Sequence, residues 1–258
     1  MLTVHEREFL ERFVTRVAGI DPRAVEKEFA QQGNWDNVFE HCLIEAARVC
    51  VFARLLRFDP ELTKDLALAA LLHDGHKKRE VEAIRRDMEA GKSGRVASMA
   101  VAHEYAEELA KKGLSPRAIA LMGFAGGMPE VIFTIDKILR TETLDDNSLA
   151  SLVMHYVDAY TRNDEWAELS AQGVNDVDRR AQKNRENPNY KKIADEIEAI
   201  FAEHDFSSDP DPFNVMAVIS HRIEDTLCRL IFERGGAQID PLCLPEEIDK
   251  RIKEDLIL

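Results

Sequence analysis

A histidine and an aspartate stand side by side, His73 and Asp74, where the apolar run DLALAALL (65–72) ends. Beyond Asp65 that run offers no polar face, so the helix it predicts is buried all round. Burying an imidazole and a carboxylate at its end costs several kcal/mol unless both are paired or coordinated. A divalent cation supplies such compensation. A helix C-terminus also favours a histidine, with the aspartate left in water. The dipeptide alone leaves both readings open.

Two other segments carry residues of the same chemistry. In VFEHCLIEAARVCVFARLL (38–56), a helix apolar over most of its circumference, His41, Glu45, Arg48 and Phe52 form one narrow stripe. Either the stripe faces a site, or His41 is a satisfied core histidine beside an Arg–Glu pair. In SLASLVMHYVDAYTR (148–162), Leu149, Leu152, Val153, Tyr156, Val157 and Tyr160 cover one face. Asp158 falls opposite, beside Met154 and His155, where wheel geometry also permits simple solvation. His103 is predicted on a core-facing row with Val96, Met99 and Ala100.

The elements that position these residues read as helices throughout, with no convincing strand. The predicted helices cover 5–18, 22–33, 35–58, 60–75, 78–89, 94–112, 116–126, 129–140, 147–162, 191–204, 214–233 and 245–256. Asp21-Pro22, Asp59-Pro60 and Ser115-Pro116 are start signals, an N-cap followed by proline at the first helical position. DFSSDPDPF (205–213) is a breaker, and 163–190 is polar and weakly patterned. The expected architecture is all-α, with N-terminal helices over 1–33, a core over 34–162 and a helical extension over 163–258.

The early His41, the His73-Asp74 pair closing the next helix and the late Asp158 in VDAYTR together resemble the HD superfamily, a set of helical metal-dependent phosphohydrolases. The likeness covers roughly 34–162. It implies an HD-domain-like bundle in which His41, His73, Asp74 and Asp158 hold one divalent metal. Two imidazoles and two carboxylates suit Mn, Fe, Co, Ni, Mg or Zn over a thiolate-seeking metal. The implied activity is hydrolysis of a phosphate ester by metal-activated water, with Asp74 and Lys77 at the chemistry. Lys77 matches the lysine of an HDxGK pattern, although His76 stands where that pattern has glycine. Lys77 and Lys78 are candidate holders of substrate phosphate. Arg79, Arg85 and Arg86 read as a solvated face paired with Glu80 and Glu82. His103 resembles an additional histidine of multi-metal members, and His76 and Arg179 are further groups for the metal's surroundings or the substrate. The adjacent histidines of di-metal members are missing, since MGFAGGMPE (122–130) has none. The alternatives are a metal-binding HD-fold regulatory protein without turnover and an HD-type di-iron oxygenase.

Composition narrows the partners. A formal net charge of −14 repels phosphate backbones and anionic lipid, so neither a nucleic-acid duplex nor a membrane is expected. A small phosphorylated substrate stays compatible, because a bound metal inverts the local sign. Cys42, Cys50, Cys228 and Cys243 form no CxxC pair and are expected as reduced thiols in a cytoplasmic protein.

Overall fold

The computed structural model describes residues 2–32, 36–161, 188–204 and 211–255, and among them every regular element is helical. The helices are α1 (Val4–Ala18), α2 (Pro22–Glu26), α3 (Asp36–Leu55), α4 (Pro60–Leu72), α5 (Lys77–Glu89), α6 (Gly94–Lys111), α7 (Pro116–Met122), α8 (Pro129–Leu139), α9 (Asp146–Tyr160), α10 (Pro188–Phe201), α11 (Pro212–Gly235) and α12 (Leu244–Glu254). Short 3-10 turns cover Lys27–Gln32 and Pro241–Cys243. No described helix is long and apolar enough to cross a membrane.

The start signals act as expected. Asp21, Asp59 and Ser115 each accept a hydrogen bond from a backbone N–H of the first helical turn, and each precedes a proline. The ends differ more. α3 stops at Leu55 rather than 58, because Arg57 takes a left-handed φ of 58° and Phe58 N–H donates back to the Ala53 carbonyl. That is a Schellman closure without the usual glycine, so the stop cue is absent from the residue types. The helix begun at Pro22 tightens into a 3-10 turn after Glu26, and Gly33 lies outside the described residues.

α3 is the central element. Every residue from Val38 to Ala53 is buried, and α1, α4, α9 and α12 pack around it. The side chains of α1, α3, α4, α9, α11 and α12 share one apolar core. α5 and α6 form a hairpin with a small cluster of its own, Ala83, Ala97 and Val101. The C-terminal helices enter the same body. Tyr156 donates to Glu224 of α11 at 2.8 Å, and Arg48 makes two hydrogen bonds to Asp249 of α12, at 2.8 and 2.7 Å. The expected boundary between core and extension, near residue 163, lies outside the described residues.

Candidate metal centre

α3, α4 and α9 converge at one buried point. His41 and Glu45, one turn apart on α3, meet His73 at the end of α4 and Asp158 on α9. One ligand atom from each lies within 4.8 Å of all the others. His41 Nε2 is 3.0 Å from Glu45 Oε1, and His73 Nε2 is 3.4 Å from Glu45 Oε2 and 3.9 Å from Asp158 Oδ1. The Glu45 side chain is fully buried, and those of His73 and Asp158 are nearly so.

Surrounding groups fix how the donors point. His73 Nδ1 lies 2.9 Å from the Ala70 carbonyl. A carbonyl only accepts, so Nδ1 carries the hydrogen and neutral His73 presents the lone pair of Nε2 to the centre. Asp158 Oδ2 accepts the Gly126 N–H at 2.6 Å, which leaves Oδ1 toward His73. Gly126 sits at φ 84°, a conformation glycine adopts without strain, and this turn aims its N–H at Asp158. His155 donates through Nδ1 to the Phe124 carbonyl at 3.0 Å and holds the same loop from α9.

Both oxygens of Glu45 and Nε2 of His73 are buried without a hydrogen-bond partner. Orphaned polar atoms of this kind cost free energy unless something coordinates them. Two imidazoles and two carboxylates converging on one point, with His73 and Asp158 hydrogen-bonded from behind, fit a divalent cation.

Asp74 stands beside the four. Its Oδ2 is 3.8 Å from His73 Nε2, its Oδ1 is 3.4 Å from Lys77 Nζ, and its side chain is 20% exposed. Comparison with known protein families, with curated proteins and with solved structures returns no match. Burial works against charge on Asp74, yet Lys77, His73, His41 and His76 outweigh it and hold the carboxyl well below the usual carboxylate range. Burial also works against charge on His73, but the Glu45 and Asp74 carboxylates raise its pKa well above the ordinary histidine value. Cys42, 3.9 Å from His73 Nδ1, is pushed up to about 11 by burial, so it faces the imidazole as a thiol.

The other candidate residues divide clearly. His76 is the residue before α5, its ring 5.0 Å from that of Tyr105, and burial lowers its pKa. Lys77 and Lys78 open α5, and Lys77 also reaches Glu80 Oε2 at 3.2 Å. His103 requires a correction. Its side chain is 77% exposed and pairs with Glu107, and Val96, Met99 and Ala100 on the same row are exposed. α6 turns its other side, with Ala97, Val101 and Tyr105, to the protein; two apolar residues on a helix of small side chains misassign the face. Arg79 also differs from expectation, bonding Glu108 and Glu104 across the hairpin. The cleft there, about 310 Å³ and lined by Arg79, Arg86 and Glu104, includes no residue of the centre. Arg179 lies outside the described residues.

Glu45 is the candidate metal ligand that the resemblance does not supply. Its signal was present in the stripe His41–Glu45–Arg48, a carboxylate one turn from a histidine on a buried helix. Arg48, on the same stripe, belongs elsewhere: each of its three guanidinium nitrogens donates to Asp249 or Thr161.

Proposed function

We propose that this chain is a metal-dependent phosphohydrolase of the HD superfamily, acting on a small phosphorylated molecule such as a nucleotide. The observation that carries the reading is the convergence of His41, Glu45, His73 and Asp158, with orphaned donor atoms, at the helix end where His73-Asp74 stands. A divalent ion held there supplies Lewis acidity toward a phosphoryl oxygen and lowers the pKa of water. The chain's own residues do the rest. Asp74, the most exposed carboxylate at the centre, is ionised and placed to orient water by accepting a hydrogen bond from it. Lys77, partly exposed beside it, brings positive charge to the side open to solvent. That charge offers a phosphate group a cationic contact on a strongly acidic molecule.

A second reading has its own support. The four donors are almost wholly enclosed, as in sites where metal serves structure rather than turnover. One experiment separates the two: elemental analysis of purified protein, followed by a screen of nucleotides and phosphoesters with Mn, Fe, Co, Ni, Mg and Zn. Metal-dependent turnover that disappears in Asp74→Ala supports the hydrolase. Bound metal with no turnover across the screen favours the metal-binding module. A metal-free protein that takes up none of these ions overturns both.

A further inference from the structure

Lys77 occupies a defined place beside the metal centre. Its Nζ lies 3.4 Å from Asp74 Oδ1 and 3.2 Å from Glu80 Oε2. The other oxygen of Asp74, Oδ2, faces His73 Nε2 at 3.8 Å. One carboxylate thus turns its two oxygens to two cationic positions, the four-donor centre on one side and the ammonium on the other. Two-metal hydrolytic centres place a bridging carboxylate in this way. Glu80 is aimed as well, because its second oxygen, Oε1, accepts from Ser98 Oγ of α6 at 2.5 Å. His76 adds a buried Nδ1 without a hydrogen-bond partner, its ring resting on Tyr105.

We infer that the Lys77 ammonium fills the place of a second metal ion, so that the centre operates with one divalent cation and one tethered positive charge. This rests on the reading of His41, Glu45, His73 and Asp158 as a metal centre. The charge balance points the same way. Four carboxylates, Glu45, Asp158, Asp74 and Glu80, face one divalent ion and one ammonium. Without the ammonium two negative charges stay uncompensated, and the ammonium offsets one of them. The consequence for substrate is chemical. An ammonium donates hydrogen bonds to phosphoryl oxygens but brings neither a second Lewis acid nor a redox centre. The centre therefore suits a phosphate ester met by one metal and one ammonium, and not chemistry that needs two irons.

Manganese(II) titration of metal-depleted full-length protein, followed by calorimetry and by electron paramagnetic resonance, tests this without any substrate. Wild type is expected to bind one equivalent and to show an isolated ion. Lys77→Ala is expected to bind two, with the spectrum of a coupled pair. Lys77→Arg keeps one, because the positive charge remains. Lys77→Ala combined with Glu80→Gln returns to one, since a ligand of the second position is lost. Lys77→Ser replaces the alanine variant should that one fail to fold. A single equivalent in a folded, uncharged Lys77 variant overturns the inference and leaves the metal centre standing, as do two equivalents in wild type. No binding by wild type overturns the metal centre and the inference together.

Discussion

Both oxygens of Glu45 lie in the middle of α3, between two imidazoles and without a hydrogen bond. A buried carboxylate so placed needs a cation more than any other group at the centre does. Glu45→Gln keeps the volume and removes the charge. It is expected to weaken metal binding by more than the roughly 10- to 100-fold typical of groups that only orient a ligand. Circular dichroism should show the helices intact. Wild-type metal affinity in this variant would remove Glu45 from the ligand set and restore Asp74 as the fourth donor.

At the scale of elements, Arg48 ties the helices that carry the centre. Its guanidinium bonds Asp249 of α12 twice and Thr161 at the end of α9 at 2.7 Å, and it stacks 4.7 Å from the Tyr160 ring centroid. Arg48 lies one turn from Glu45 on α3, and Thr161 lies one turn from Asp158 on the α9 side. The pair is 1% exposed on both sides. Removing one partner of such a pair leaves a charge stranded in the core, at a cost of about 3–5 kcal/mol. Asp249→Ala is expected to lose that much in urea denaturation and to bind metal more weakly, because α3 and α9 lose their common tie. Asp255→Ala, which breaks partly exposed contacts to Arg54 and Arg16, should cost no more than about 1 kcal/mol. Equal losses in the two variants would reduce the Arg48 network to ordinary surface pairing.

For the whole molecule, a metal bound at the junction of α3, α4 and α9 stabilises the fold by linkage. At a hundredfold excess over Kd the gain is about 2.7 kcal/mol, or roughly 5–10 °C in Tm for a chain of this size. A chelator should reverse it, and the size of the effect should depend on pH. The raised pKa of His73 means that the metal-free fold holds a proton there above the ordinary histidine value of about 6.5. That proton's contribution to stability is full below about pH 6.5 and fades as pH rises through the raised value. A metal must displace the same proton, so metal-induced stabilisation grows over the same range. A Tm shift independent of pH from 6 to 9 would exclude His73 as a ligand.

Local rules made much of this legible. The capping residues Asp21, Asp59 and Ser115, the prolines after them and the apolar periodicity place most helices, since each of these signals acts within one turn of chain. The burial of His41 and His73 also follows from helices apolar on nearly every side. Other features depended on segments far apart in the chain. Asp158 lies on what a wheel shows as the polar side of α9, but α11 and α3 cover that helix all round, and Gly126 arrives from the loop before α8 to orient the carboxylate. The outward face of α6, the division of labour between Glu45 and Asp74, and the capture of Arg48 by Asp249 have the same origin. Periodicity tells which residues share a face, whereas the elements packed against each face decide whether it meets water, a core or a cation.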